Sequence, residues 1–221
     1  MLLDALITRD PIQIAMAIVA SVFMVFFAMP AHECAHGLVA HWLGDDTAKN
    51  QGRLTLDPKK HISPLGAVSL LLIGFGWGNP CPVDERNFKH PKADMAVTAL
   101  AGPLSNLLTA YIMIFFMVLT QVFGNTSSTF ITAVYYFFYI AAQISVFLAV
   151  FNLFPIPPLD GYRILSMFLP DKAYYWFIRN ENVLSIIFIV LIMTGALSGP
   201  LSSLSTHIIN AFYSLAVKPF T

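Results

Sequence analysis

Charge is scarce in this sequence of 221 residues, of which only 11% are Asp, Glu, Lys or Arg. Soluble domains carry about 25% charged residues, so a chain that is also 57% hydrophobic lacks the polar surface that water requires. The formal net charge is zero, which excludes the basic footprint of a nucleic-acid-binding protein. Cysteine is also rare, and the two present, Cys34 and Cys81, form neither a CxxC pair nor a disulfide framework. We therefore predict a protein of the lipid bilayer and assign no role to the cysteines.

Long apolar runs take the place of the missing charge. Residues 12–28 are nearly continuous apolar sequence, and about 20 such residues span the hydrocarbon core of a bilayer. The helical pattern resumes after a kink expected at Pro30 and continues to Trp42, and Gly44 then stops it. Asp4 and Asp10 stand where a signal peptide has basic residues, so we predict that this helix is retained.

Further apolar runs predict helices at residues 93–123, 131–154 and 183–197, whereas residues 201–217 either cross the membrane again or lie on its surface. The fold class predicted is an all-α polytopic membrane protein with about four to five transmembrane helices. We treat residues 1–221 as one membrane-embedded domain, with a catalytic core at about residues 12–170 and C-terminal helices at about 182–217.

Two stretches between the first and second long helices have a different character. Residues 65–78 are apolar but short and rich in glycine. We predict a re-entrant loop or a small β-hairpin there, buried against protein, because irregular backbone cannot face lipid. The alternation of residue types at 53–57 predicts a short strand.

The positions of the basic residues predict an orientation. With residues 45–63, 79–92, 155–180 and 218 on one side of the membrane, eleven of the twelve Lys and Arg residues share that side. The positive-inside rule makes it the cytoplasmic side. This arrangement requires residues 65–78 to dip into the membrane and return, and it brings the end of the first helix toward the cytoplasm.

That end carries the motif HECAH, in which His32, Glu33 and His36 form the pattern HExxH. Residues four apart lie on one face of a helix, so the two imidazoles can share one metal ion while Glu33 acts on a water molecule. Ionisable groups inside a bilayer are costly and usually functional. The alternative is a hydrated motif at the membrane interface without a function. His41 faces away from His32 and is not expected to be a ligand.

A catalytic zinc ion needs a third protein ligand and an open position. The sequence before Asp160 favours this residue as the third ligand, because its prolines give an extended backbone that directs the carboxylate inward. The alternatives left open are four other residues: His61, His90, Asp94 and His207. Asp160 is also suited to capping the helix that begins there.

Three sequence segments together resemble the site-2 protease family of intramembrane zinc metalloproteases. HECAH at residues 32–36 is similar to the zinc motif of that family, NLFPIPPLDG at 152–161 to its second signature, and AGPLSN at 101–106 to its Gly-Pro-Asn segment. Residues 52–58 and 76–82 resemble the compact prokaryotic branch, and no hydrophilic stretch is long enough for a PDZ or CBS domain.

The resemblance implies one Zn²⁺ per chain, held by His32, His36 and Asp160, with Glu33 as the catalytic acid and base. Asn106 and Asn152 are amides on otherwise apolar helices. We expect them to bind the substrate backbone or the developing oxyanion, and the alternative is that they form hydrogen bonds between helices. The expected substrates are transmembrane proteins cut within or near their membrane segments, in regulated intramembrane proteolysis. The expected location is the cell membrane, with several spans and an active site toward the cytoplasm.

Two other functions use similar residues. A metal transporter also needs intramembrane His and Asp residues, but it predicts several ligand pairs along a path, and the sequence contains one tight cluster. A scaffold that binds transmembrane helices without cutting them has no need to keep His32, Glu33, His36 and Asp160 together.

Overall fold

The computed structural model of the chain describes residues 10–63, 65–66, 78–125 and 127–220. The first helix, α1, spans Pro11–Trp42. Asp10 caps it by accepting a hydrogen bond from the N–H of Ile12 at 2.9 Å. A π-helical turn at Met24–Ala28 interrupts it just before Pro30, because a proline cannot donate to the preceding turn. The chain leaves the helix through Gly44, at a φ of +109° that favours glycine. The predicted helix and its end are both confirmed.

The connection after α1 contains two short helices, α2 at Thr47–Asn50 and α3 at Pro58–His61. The predicted strand at residues 53–57 is wrong, because these residues form bends and loop. Their polar groups make local contacts: the Asp57 side chain caps α3, and the carbonyl of Thr55 accepts a hydrogen bond from the His61 ring at 2.8 Å.

The predicted re-entrant loop or hairpin lies mostly at residues 67–77, outside the described residues. The two ends of this stretch lie side by side. Ile62 and Gly78 form an antiparallel bridge, and the N–H of Asn79 donates to the carbonyl of His61 at 2.7 Å. Residues 61–62 and 78–79 are therefore neighbours in space.

Six helices follow: α4 at Pro91–Phe123, α5 at Thr129–Asn152, α6 at Asp160–Ser166, α7 at Asp171–Arg179, α8 at Glu181–Met193 and α9 at Ser198–Val217. Among the described residues, α1, α4 and α5 are long and apolar enough to cross a membrane, and α7 and α8, which meet at a 70° bend, add a fourth span if they are counted as one. This confirms an all-helical polytopic membrane protein, with three or four candidate spans among the described residues where about four to five were predicted.

Small side chains hold the long helices together. Ala17, Ala20 and Ala28 of α1 are buried against Ala141 and neighbouring residues of α5, which is typical of membrane helices whose backbones approach closely. The outward surfaces keep large apolar side chains exposed, among them Phe27 on α1 and Leu108 on α4. A core of small residues beneath an apolar exterior suits a lipid environment. The helix α9 covers the inner pair α4 and α5.

Candidate active site

The two histidines of the HECAH motif lie one helical turn apart on the inner face of α1. His32 and His36 are 8% and 6% exposed, and their ring centroids are 4.7 Å apart. Their Nε2 atoms approach to 3.1 Å. The four-residue spacing has therefore produced the paired imidazoles that the helical period predicts.

Asp160 reaches the same point from the first residue of α6. Its Oδ2 atom lies 3.3 Å from Nε2 of both His32 and His36. Leu159 occupies the cap position of this helix and the Asp160 side chain makes no capping bond, so the carboxylate points to the imidazoles. The turn requires Gly161, where a Cβ atom would lie 2.2 Å from the carbonyl oxygen of Leu153.

The protonation of His36 follows from its neighbour on α4. Its Nδ1 atom lies 2.8 Å from the carbonyl oxygen of Thr98, and because a carbonyl only accepts, Nδ1 carries the proton. If His36 is neutral, its lone pair lies on Nε2 and faces Oδ2 of Asp160, which only accepts when ionised. These two acceptors repel each other unless a proton or a metal cation lies between them.

The spacing of these atoms suits a zinc ion. Donor atoms about 2.0–2.1 Å from a tetrahedral zinc lie about 3.3 Å from one another, and the separations here are 3.1, 3.3 and 3.3 Å. Two imidazoles and one carboxylate form the donor set of many catalytic zinc sites. The arrangement thus fits one metal ion, with a fourth position left for water or substrate.

Asn106 holds the other nitrogen of His32. Its Nδ2 atom lies 3.0 Å from His32 Nδ1, and Asn106 is only 2% exposed. If His32 offers Nε2 to a metal, its proton is on Nδ1 and the partner must accept. A half-turn of the carboxamide brings Oδ1 to that position without moving another atom.

Close packing by α4 fixes both imidazoles. A Cβ atom on Gly102 would lie 2.3 Å from His36 Nε2 and 2.5 Å from His32 Cε1, so only glycine fits there. Thr98, Gly102 and Asn106 are spaced by four residues and therefore share one face of α4. That face provides an acceptor for each histidine and the space between them.

Glu33 lies beside the histidines on α1 and is partly buried. Its Oε2 atom accepts a hydrogen bond at 2.7 Å from the main-chain N–H of Cys81, which belongs to the loop before α4. One carboxylate oxygen of Glu33 is therefore held by the loop.

The four alternative third ligands lie elsewhere. The His61 ring contacts the carbonyl of Thr55, Asp94 accepts a hydrogen bond from the N–H of His90 at the start of α4, and His207 contacts Ser203 within α9. None of the four belongs to the group formed by His32, His36 and Asp160 within the described ranges.

Two further residues considered in the sequence also have partners outside the cluster. His41 contacts Asp46 at the C-terminal end of α1, away from the site as expected. Asn152 donates its side-chain amide to the carbonyl of Leu148 in its own helix, at 2.9 Å. Its position at the end of α5 places it in the stretch that leads to Asp160.

The sequence analysis missed three contributions to the site: the Thr98 carbonyl, the space at Gly102 and the Cys81 N–H. Only Gly102 had a signal, because this glycine lies four positions before the polar residue Asn106 and therefore on the same helix face. The other two had none, because main-chain groups are not visible in a side-chain pattern.

Comparison with known proteins agrees with this geometry. The family model described as Peptidase family M50 matches residues 121–195. A Bacillus subtilis (strain 168) protein provisionally named zinc metalloprotease YwhC is 44% identical over 172 residues, which cover 77% of this chain and 78% of that protein. The similarly named Rip2 of Mycolicibacterium smegmatis is 27% identical over 76% of this chain, and the match spans only 64% of Rip2. No solved structure matches. The chain belongs to peptidase family M50, the site-2 protease family.

Proposed function

We propose that the protein is an intramembrane zinc metalloprotease that hydrolyses peptide bonds within or near the transmembrane segments of other membrane proteins. The observation that carries the proposal is the convergence of His32, His36 and Asp160 at one end of a membrane-spanning helix, with Glu33 beside them. Membership of a peptidase family supports the reaction type. The apolar surroundings support a substrate that arrives through the lipid, as in regulated intramembrane proteolysis.

In this proposal His32, His36 and Asp160 hold one zinc ion per chain. A zinc ion there supplies Lewis acidity, which lowers the pKa of water toward about 7 and polarises a peptide carbonyl. Glu33 accepts the proton of the attacking water and later delivers it to the leaving amine. Asn106 keeps the Nδ1 proton of His32 in place. This role leaves the oxyanion contact open, because the side-chain NH2 group of Asn106 keeps its two donors when Oδ1 accepts from His32. Asn152 remains a candidate for binding the substrate backbone.

We further propose that the centre opens toward the cytoplasm, in agreement with the distribution of the basic residues. A helical substrate hides its amides in internal hydrogen bonds and must unwind locally before a peptide bond reaches Glu33. Polar residues at the cytoplasmic ends of α1 and α4 provide a route for water from that side.

Metal content tests the centre without knowledge of a substrate. We expect about one zinc ion per chain in protein purified in detergent without chelator. His32→Ala and Asp160→Asn should lose it, because each removes one of three ligands. His207→Ala is the matched control, since His207 is exposed on α9. Zinc that survives Asp160→Asn would contradict the proposed ligand set, and wild-type protein without bound metal would contradict the proposed centre.

Cleavage tests the activity. The protein is placed in lipid vesicles with peptides that each carry one apolar segment of about 20 residues, with or without a helix-breaking Asn-Gly pair at its centre. We expect the wild-type protein to cut the destabilised peptides and Glu33→Gln to bind them without cutting. Equal cutting by both proteins would assign the hydrolysis to a contaminant. Binding without cutting by the zinc-loaded wild type would favour the scaffold, and zinc flux into the vesicles would favour the transporter.

A further inference from the structure

The loop that precedes α4 contains the sequence Asn79-Pro80-Cys81-Pro82. Proline has no main-chain N–H, so Cys81 has the single main-chain donor of the three residues 80–82. The Cys81 N–H donates a hydrogen bond to Oε2 of Glu33, with a nitrogen-to-oxygen distance of 2.7 Å. The prolines also restrict the backbone on both sides of Cys81. The direction of this N–H is therefore fixed by the local sequence.

The loop is also held in place before Cys81. The Nη2 atom of Arg53 donates to the carbonyl oxygens of Asn79 at 2.8 Å and of Pro80 at 3.1 Å. The Asn79 side chain donates to the carbonyl of Ile62 at 3.1 Å, and its N–H donates to the carbonyl of His61. The two residues before Cys81 are thus fixed by four hydrogen bonds.

A second anchor follows Cys81. The fully buried carboxylate of Asp45, just beyond α1, accepts hydrogen bonds from the N–H of Asp84 and the side chain of Asn87, each at 2.8 Å. The loop is therefore attached to the end of α1 on one side of Cys81 and to Arg53 on the other.

The Cys81 side chain sets the distance between the loop and α1. A Cβ atom on Gly37 would lie 2.7 Å from Cys81 Sγ, so the thiol rests in the space that the glycine leaves. Gly37 is one turn after Glu33, on the same face of the helix. Burial, and the nearby Glu33 carboxylate, raise the pKa of the Cys81 thiol to about 11. The thiol is therefore neutral at physiological pH, and it packs against the helix as a small apolar group.

We propose that the main chain of Cys81 is a positioning group for Glu33, and that the loop exists in part to present this N–H. By holding Oε2, it fixes the side-chain torsions of Glu33 and leaves Oε1 for the proton of the attacking water. Productive geometry in a catalytic site tolerates errors of about 0.5 Å, and a glutamate side chain has three rotatable bonds. The inference rests on the proposed function, since it assigns Glu33 the role of base.

The test compares Cys81→Pro, which removes the N–H, with Cys81→Ala, which keeps it and shortens only the side chain. We expect Cys81→Pro to lower kcat about 10- to 100-fold, the usual effect of losing a group that orients a catalytic residue. KM and zinc content should stay at wild-type values, because the loop touches neither the proposed ligands nor, in this inference, the substrate. Cys81→Ala keeps the N–H and loses only the packing of the thiol, so its kcat should fall by clearly less than that of Cys81→Pro, and an equal fall in both variants would overturn the inference.

A milder substitution tests the same inference if the proline variant does not fold. Arg53→Ala releases the carbonyls of Asn79 and Pro80 without touching Glu33, and it should lower kcat in the same direction with zinc retained. Arg86→Ala is its matched control, because Arg86 is exposed and pairs with Asp84 at the surface.

Hydrogen exchange of the Cys81 amide tests the contact independently of cleavage. Exchange should be slow in the wild type and in Glu33→Gln, which keeps an acceptor, and faster in Glu33→Ala. If the wild type cuts the peptides and zinc-loaded Cys81→Pro cuts them equally well, the inference is overturned and the proposed function stands. If the zinc-loaded wild type cuts none of them, the proposed function fails and the inference fails with it. Fast exchange in the wild type would also overturn the inference.

Discussion

Replacing Gly102 by alanine should weaken metal binding, because this glycine leaves the space in which the two imidazoles meet. The added methyl carbon would lie 2.3 Å from His36 Nε2 and 2.5 Å from His32 Cε1, whereas ordinary van der Waals contact begins at about 3.4 Å. Helix α4 or the imidazoles must therefore move by about 1 Å, roughly twice the error that a catalytic site tolerates.

The size of the effect follows from the cost of overpacking. An extra methyl group in a well-packed core costs about 1–3 kcal/mol. If the strain appears only when both histidines point to one centre, zinc affinity falls by about 5- to 150-fold, since about 1.4 kcal/mol corresponds to a factor of ten. The same substitution favours helix formation by about 1 kcal/mol, so the variant should fold.

Competition with a chromophoric chelator measures the zinc affinity of the detergent-purified variant. Gly199→Ala is the control, because Gly199 is also helical and a Cβ atom there meets nothing within 4 Å. A Gly102→Ala affinity equal to that of the control would refute the role of this space. It would show that the imidazoles do not converge on a metal in the arrangement described.

Two other substitutions test neighbouring parts of the centre. Asn106→Asp keeps an acceptor for the His32 Nδ1 proton, so its zinc affinity should stay within about threefold of wild type. Asn106→Leu removes the acceptor, and its zinc affinity should fall about 10- to 100-fold. If both variants bind zinc as the wild type does but lose kcat, Asn106 acts on the oxyanion and not on His32. Burial alone would raise the pKa of Asp45, but hydrogen bonds from Thr47, Asn87 and Asp84 hold it below its usual value. The attachment of the loop should therefore be intact above pH about 4 and weaken as the pH falls through that lowered pKa. Protection from hydrogen exchange at residues 84–87 should decrease as the pH falls in the wild type but not in Asp45→Asn. Equal pH profiles in the two proteins would contradict a role of the Asp45 carboxylate in attaching the loop.

The elements that the sequence predicted are those with a strong local pattern. The apolar run and the HExxH spacing in α1 are set by the helical period, so neither depends on the rest of the chain. The preference for Asp160 also came from local chemistry, because prolines and a glycine shape the turn around it. The structure brings this carboxylate to the two histidines, and its role as a ligand remains a prediction.

The parts that sequence reasoning missed depend on contacts between distant segments. Residues 53–57 have strand-like alternation, but Arg53 and Thr55 bond to loop residues and to His61 instead of to a neighbouring strand. The contact between Asn106 and His32 was missed because the two residues lie 74 positions apart in the sequence, and the proposed role of Asn106 toward the substrate remains a prediction. Cys81 was assigned no role because its contribution comes from the main chain.

The order of the ligands along the chain has a consequence for biosynthesis. His36 and Asp160 are separated by 124 positions, and ribosomes add about 5–20 residues per second. The carboxylate therefore emerges roughly 6–25 s after the second histidine, when α1, α4 and α5 have already been made. During that interval the nascent chain has both imidazoles and Glu33 but lacks Asp160. If the proposed zinc centre is the active site, an unfinished protein is inactive and leaves the other nascent membrane helices at the site of insertion intact.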